Sequence, residues 1–452
     1  MRRRRRKQNL PTTPVTLTIE KLSHEGRGIG HHEGKIMFVE GALPGEQVEA
    51  ILTLRRDSFD EAKLSQVIEA SGDRITPACS YADICGGCSL QHFDPAAQMA
   101  FKQDTVLEKL QHAVPNAAFT ILKPLTGPVL GYRRKARLAV RYVHKKEQVL
   151  VGFREKQSTF ITHMDSCEVL DPRLAALMPY LSALIGGLAS FRHIAQIEVA
   201  AGDPEAKDAA GCSTALIFRH LADLPPADLA ALIAFAEQHR FALYLQPGGM
   251  DTVHRVWPEG GVDRLYYQLP DFGLRIAFHP NDFTQVNADI NRQMIARALD
   301  LLELSPDDRV LDLFCGLGNF TLPLASNCAA VVGIEAAQVM VDRGYENAGA
   351  NGIANAAFYC ADLTQPIGKP DWMAAGFSKV LLDPPRSGAW EILPDIVSLN
   401  PARIAYVSCN PATLARDAEY LVSQGYVMTH AGAMDMFPQT AHVEAMALFV
   451  RC

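Results

Sequence analysis

The stretch Val310-Leu-Asp-Leu-Phe-Cys-Gly-Leu-Gly-Asn-Phe320 limits the folds open to this chain more than any other. Its apolar run, Val310 to Phe314, turns on Gly316 and Gly318 into Thr321-Leu-Pro-Leu-Ala325, the pattern of a buried parallel strand feeding a helix. Glycines at such a turn let backbone N–H groups approach a ligand closely. The next apolar run, Ala329 to Ile334, ends in Glu335, a carboxylate placed to accept both hydroxyls of a ribose. That much serves a dinucleotide or S-adenosylmethionine (AdoMet) equally. Thr321, however, stands where the third glycine of the dinucleotide fingerprint belongs. Downstream, Asp383-Pro-Pro-Arg386 and Ser408-Cys-Asn-Pro411 suit methyl transfer and have no use in hydride transfer. AdoMet is therefore the favoured ligand.

At 452 residues the chain should hold two or three domains, each with its own core. A net charge of −7 excludes a general polyanion binder, so any nucleic-acid surface must be local. The basic run Met1 to Lys7 has no apolar segment behind it and reads as a solvated tail rather than a secretory signal. The longest uncharged stretch, Leu174 to Phe191, is interrupted by Pro179, Gly186 and Gly187, and is expected to be core helix and turn, not a membrane span. Ten cysteines without a signal peptide point to a reducing, cytoplasmic compartment. Nothing implies a protein partner, so a monomer is expected.

From Val15 to about Ala70, alternating runs broken by Gly26-Arg-Gly-Ile-Gly30 and Leu43-Pro-Gly-Glu46 predict about five short strands closing a small barrel. This stretch resembles a TRAM domain, a small RNA-binding barrel. Cys79, Cys85 and Cys88 then fall within ten residues around two glycines, a loop able to wrap a metal centre as thiolates. A fourth ligand is required. Cys167 would complete a four-thiolate set, whereas His92 would make a Cys3His zinc site, and the spacing leaves both open. Asp94 to Ala113 reads as an amphipathic helix with Met99, Val106 and Leu110 on its apolar side, free to pack on its neighbours or on the last domain. Tyr132 to Arg141 alternates basic and apolar residues, and its Arg133, Arg134 and Lys135, with His144 to Lys146 and Arg154, are the best candidates for phosphate contacts. Residues 180–270 carry no chemical signature. The expected division is a tail at 1–13, the barrel at 14–72, a central α/β domain at 73–280 and the AdoMet-binding domain at 281–452.

In that last domain Asn287 is placed to cap a helix with Ile290, Met294, Ala298 and Leu301 on one face. Alternating βα units follow, so that Glu335, Asp362, Asp383 and Cys409 fall at the carboxyl ends of parallel strands, where open α/β sheets bind ligands. Arg386 replaces the aromatic residue that closes the Asp-Pro-Pro motif of adenine-N6 methyltransferases, and the cysteine of RNA cytosine-C5 enzymes is absent there. Cys409 remains. A thiolate adding to C6 of uracil makes C5 nucleophilic, and a base must later remove the C5 proton. Glu444, a carboxylate among apolar neighbours in His442-Val-Glu-Ala-Met446, is the best base; a surface carboxylate is its other reading.

Val407-Ser-Cys-Asn-Pro-Ala-Thr-Leu-Ala-Arg-Asp417, with Phe283-Thr-Gln-Val-Asn287, Leu311 to Phe320, Asp383-Pro-Pro-Arg386 and His442-Val-Glu444, resembles the RNA 5-methyluridine methyltransferases. The barrel and the cysteine set are similar to those of the family's 23S rRNA branch. The resemblance implies a [4Fe-4S] cluster on Cys79, Cys85, Cys88 and Cys167. It implies AdoMet contacts from Gln285, Phe314, Asn319, Glu335, Asp362 and Asp383, with Cys409 as nucleophile, Glu444 as base and 23S rRNA as substrate. The chain departs from the family pattern at Glu168, Gln439 and Ala445.

Overall fold

The computed structural model describes residues 10–207, 211–260, 262–365, 370–374 and 376–451; the basic run Met1 to Lys7 lies outside them. Strands Val15–Leu22, Gly28–His32, Lys35–Glu40, Gln47–Arg55 and Phe59–Glu69 close a barrel, filled by Leu17, Ile19, Met37, Val39, Val48 and Leu52. The turn at Leu43–Glu46 buries the Glu46 carboxylate, which accepts from Leu43 N–H at 2.8 Å and from Arg74 Nη2 at 2.8 Å. That bidentate pair ties the barrel to the segment that follows it.

The central domain is a six-stranded sheet in the order His254–Trp257, Ala242–Gln246, Thr214–His220, Ile194–Ala201, Lys135–Val143, Gln148–Gly152. A hairpin, Leu265–Leu269 with Leu274–Phe278, leads out of it. The uncharged stretch from Leu174 lies in short helices, Pro172–Ala175 and Met178–Gly186. Among the described residues no helix is long and apolar enough to cross a membrane.

The last domain is an eight-stranded sheet: Ala356–Cys360, Ala330–Glu335, Arg309–Leu313, Lys379–Leu382, Arg403–Ser408, Glu444–Arg451, Tyr426–Met434 and Thr120–Ile121. The first five are parallel, and Glu444–Arg451 returns antiparallel to Arg403–Ser408. The near-continuous apolar strands match a sheet covered on both faces. One face carries the helix Ala288–Leu302, capped by Asn287 Oδ1 accepting from Ile290 N–H at 3.3 Å; Leu302 rather than Leu301 joins Ile290, Met294 and Ala298 in the core. The other face carries Pro411–Ser423 and, from early in the chain, Pro95–Ala113, whose Met99, Val106 and Leu110 enter the same core.

That early helix also buries Gln98, Lys102 and Gln103, which its apolar periodicity gave no reason to place inside. Lys102 Nζ donates to Asp435 Oδ1 at 2.6 Å and to Phe437 O at 3.0 Å, with the lysine side chain wholly buried and the aspartate nearly so. Breaking such a pair leaves an uncompensated buried charge. Lys102→Met is therefore expected to cost about 3–5 kcal/mol in denaturant unfolding. The double change Lys102→Met/Asp435→Leu should recover most of that loss, since no stranded charge remains.

Candidate active site

Cys409 follows the last residue of strand Arg403–Ser408 and precedes Asn410, whose side chain caps the next helix by accepting from Ala412 N–H at 3.1 Å. The Ser408 hydroxyl accepts from Asn410 N–H at 3.1 Å and fixes the turn. In the antiparallel ladder Ser408 lies opposite Ala445, so one further step sets Cys409 against Glu444. On the other side Leu382 pairs in parallel with Tyr406, and Asp383 leaves the sheet at the same edge. Three neighbouring strands thus deliver a thiol and two carboxyls to one place.

Burial raises the Glu444 carboxyl to about 8, reinforced by the Asp383 charge and opposed by Arg386. Burial alone pushes Asp383 up to about 7. The half-buried Cys409 thiol is pushed up to about 11, first by burial and then by the Glu444 and Asp383 charges, against Arg386. Exposed Arg386 also lies 3.4 Å from His442 Nδ1 through its Nη2. The motif reading used Arg386 only to exclude adenine and passed over His442. The signal available for both was proximity in sequence to Asp383 and Glu444.

Cys409 opens into a cleft of about 740 Å³, lined also by Arg386 and His442, by Thr105 and Lys109 of the early helix, by Gly86 and Gly87, and by His24 and Glu25 of the barrel. The modules meet there by direct contact. Gln98 and Gln439 exchange hydrogen bonds at 3.0 Å, and the Gln439 carbonyl accepts from Ser89 and Leu90 N–H, each at 3.0 Å. Gly26 of the barrel comes so close that a Cβ there would sit 3.0 Å from Ala441 and from Leu90. Gln439 is thus the meeting point of helix, cysteine loop and the loop before Glu444.

On the adjoining stretch of the sheet edge, Phe314 adopts φ +65°, a strained conformation for a bulky residue of the kind that collects at ligand sites. Gly318 follows at φ +96°, and a Cβ there would lie 3.2 Å from Leu322 and 3.3 Å from Phe358. Glu335 Oε2 accepts from Gly316 N–H at 3.2 Å, which places that carboxylate against the glycine loop. Beneath it Asp312 is fully buried, accepts from the Thr321 hydroxyl at 2.5 Å through Oδ2, and has no partner for Oδ1. Asn319 bonds to Tyr267 and Asn291. Gln285 lines a small cavity with the same two residues. Asp362 is exposed and accepts from Thr364 N–H at 3.0 Å.

Cys79, Cys85 and Cys167 are buried, Cys88 is half-buried, and all four are free thiols. Cys79 Sγ accepts from Tyr81 N–H and Cys85 Sγ from Gly87 N–H, each at 3.4 Å. Cys167 feels the charges of Cys88 and Cys79, and Cys85 those of Cys167 and Cys79. Among the described residues, however, no three His, Cys, Asp or Glu are gathered tightly enough to hold a metal as they stand. Burial lowers the His92 pKa to about 4, and the charges that act on it are Arg74, Lys156, Glu46 and Asp83 rather than a cysteine.

Within the basic stretch, Arg134 and Lys135 turn to internal partners, and Arg137 pairs at the surface. Arg134 pairs with Asp203 at 2.6 Å, Lys135 donates to the Asp282 carbonyl, and Arg137 pairs with Glu198 at 2.9 Å. Burial also lowers the Lys135 pKa to about 8.

A five-stranded parallel sheet with a glycine loop, and an acid and a thiol at its carboxyl edge, define an AdoMet-dependent methyltransferase carrying a TRAM barrel. The chain belongs to the tRNA (uracil-5-)-methyltransferase family, whose model matches residues 97–452, with a TRAM domain matched at 13–62. It is 52% identical over 448 residues to the 23S rRNA (uracil(1939)-C(5))-methyltransferase RlmD of Alkalilimnicola ehrlichii, covering 99% of both chains. Its identity to that of Alcanivorax borkumensis is 50% over 445 residues, covering 98% of both. The fold also matches a Pyrococcus abyssi tRNA (uracil-54, C5)-methyltransferase solved with S-adenosyl-L-homocysteine. There the TM-score is 0.73 and the identity 23%, covering 96% of this chain and all of the other.

Since the ionised Glu444 raises the Cys409 pKa, Glu444→Gln should move the pH profile of Cys409 alkylation by iodoacetamide to lower pH. Mass spectrometry of the Cys409 peptide across the alkaline range reads this directly. An unchanged profile would mean that thiol and carboxyl are not electrostatically coupled.

Proposed function

We propose that the chain is a cytoplasmic, monomeric, AdoMet-dependent RNA methyltransferase. It acts on C5 of a uridine in 23S rRNA, the uracil(1939) that its relatives' names specify. The observation that carries this reading is the placement of Cys409 against Glu444, with Cys409 opening into a cleft walled by barrel, cysteine loop and catalytic sheet.

Cys409 is the nucleophile. As thiolate it adds to C6 of the uracil, forming a C–S bond and moving the C5–C6 π electrons toward C5 and O4. AdoMet, when bound, supplies the electrophilic methyl group that C5 takes. Glu444 is the base: ionised, it removes the C5 proton, the C5–C6 double bond reforms and the thiolate leaves. A carboxyl near 8 is a stronger base than an ordinary one, and Arg386 holds it from rising further. The uracil must leave its stack to reach Cys409, so the target is flipped from a loop or opened segment. Lys109 and Arg386 on the cleft wall are the phosphate-facing cations, in place of Arg134 and Lys135.

The AdoMet contacts are Gln285, Phe314, Asn319, Glu335, Asp362 and Asp383. The residues fit such a ligand: Glu335 is held against the glycine loop by Gly316 N–H, and the buried Asp312 Oδ1 lacks a partner. A [4Fe-4S] cluster on Cys79, Cys85, Cys88 and Cys167 makes the central domain an iron–sulfur domain. Four thiols within reach of one another's charge, with backbone N–H groups directed at sulfur, favour four thiolates over a Cys3His zinc site. The cluster would fasten the Gly86–Gly87 turn that forms the cleft's rim.

Two experiments test these assignments. Glu444→Gln keeps the shape of the base but cannot take the C5 proton. It should transfer one methyl group, then stall as an RNA–protein adduct that survives denaturing electrophoresis, with turnover down roughly 10²- to 10⁴-fold. Cys409→Ala should give neither methylation nor adduct. Normal turnover by Glu444→Gln would assign the base elsewhere. Anaerobically purified protein should be brown, with about four irons and inorganic sulfide. Colourless protein with stoichiometric zinc that requires His92 would overturn the cluster.

A further inference from the structure

We propose that Tyr267, on the hairpin leading out of the central domain, is a positioning residue for AdoMet: it orients the Asn319 amide so that an N–H, not the carbonyl, meets the ligand's amino-acid carboxylate. This rests on the reading above that Asn319 contacts AdoMet.

The Tyr267 hydroxyl donates to Asn319 Oδ1 at 2.8 Å. Asn319 and Asn291 form a reciprocal amide pair, Asn319 Nδ2 donating to Asn291 Oδ1 at 2.9 Å and Asn291 Nδ2 returning to Asn319 Oδ1 at 3.0 Å. Such a pair is degenerate by itself, since flipping both side chains preserves both bonds. Tyr267 breaks the degeneracy. Its phenol has one proton to give, and among the described residues the hydroxyl reaches no other acceptor. In the flipped state it would face an N–H and its own proton would go undonated, which disfavours that state about tenfold. Desolvation, and then the Asp203 charge, raise the Tyr267 pKa, so the proton is always there to give.

With two donors on Oδ1 and one Nδ2 hydrogen engaged, Asn319 has a single N–H left. It stands directly after the glycine loop, half-buried, and can only donate to what arrives there. Glu335, on the neighbouring strand, is suited to the ribose, which leaves the amino-acid end to the Asn319 side. Charge agrees with this direction. Arg134 and Arg292 share the carboxylate of Asp203, at 2.6 and 2.9 Å, Arg292 lies 3.8 Å from Asp289 as well, and both arginines line the cavity beside Gln285 and Tyr267. That wall therefore presents two guanidinium groups, the donors that pair with a carboxylate.

The test is calorimetric binding of S-adenosylhomocysteine and of 5′-methylthioadenosine, which lacks the amino-acid group, to the full chain. Tyr267→Phe should weaken the first about twofold, since an unbiased amide pair presents the N–H half the time, and leave the second unchanged, a split that a general loss of packing would not produce. Equal weakening of both ligands, or of neither, overturns the assignment. Asn319→Ala separates the two layers. If it leaves S-adenosylhomocysteine affinity intact, the reading of Asn319 as a contact falls and Tyr267 with it. If Asn319→Ala weakens that ligand while Tyr267→Phe does not, only the positioning role falls.

Discussion

Everything at the catalytic edge depends on one antiparallel ladder, Ser408 opposite Ala445. A parallel sixth strand would have carried Glu444 to the far end of the sheet. The reversal brings the start of one strand beside the end of its neighbour, and a slip of one residue in the returning strand would turn Glu444 to the face opposite Cys409. Such a register needs anchoring, and the loop before Glu444 is anchored at several points. Asp435 is held by Lys102, the Pro438 carbonyl by the Tyr132 hydroxyl at 2.9 Å, Gln439 by Gln98, and Ala441 N–H by the Ser89 hydroxyl at 3.1 Å. All four anchors come from residues 89–132, which also link to the barrel and the central sheet. The N-terminal half of the chain therefore does more than present RNA-binding surface: it fixes the loop that aims the carboxylate.

What the sequence made legible follows the range of the interactions involved. The glycine turn, the Asn287 cap and the succession of parallel strands ending near Glu335, Asp362, Asp383 and Cys409 are written in local patterns, a few residues each. The returning strand Glu444–Arg451 and its partner Tyr426–Met434 were not read, because an apolar run does not say which neighbour it joins or in which direction. Lys102 and Asp435 sit in segments more than 300 residues apart, at 333 positions' separation, and each alone resembles a surface charge. Arg134 and Lys135 mislead for the same reason. A basic alternation looks alike whether its partners are phosphates or an internal carboxylate such as Asp203, and only the fold distinguishes them. Gln439 makes sense only once Gln98 lies across from it.

The charges at the sheet edge also bear on why this scaffold suits AdoMet rather than a dinucleotide, a choice the glycine loop leaves open. Asp312, Asp383 and Glu444 are all raised, to about 8, 7 and 8, with burial the largest cause each time. Asp383 acts on Asp312 and on Glu444, so these carboxyls crowd one poorly solvated region and resist becoming negative together. A pyrophosphate placed there would meet that accumulated negative potential with more of its own. A sulfonium is the reverse case: a cation without N–H or O–H donors, whose arrival favours ionisation of the nearest carboxyls. Ionising Asp383 or Glu444 alone would hold the Cys409 thiol protonated, since both raise its pKa. A cation beside them offsets that effect, favouring the ionised thiol as well as the ionised carboxyls. The same crowding that raises each group singly thus makes them responsive, as a set, to one positively charged ligand.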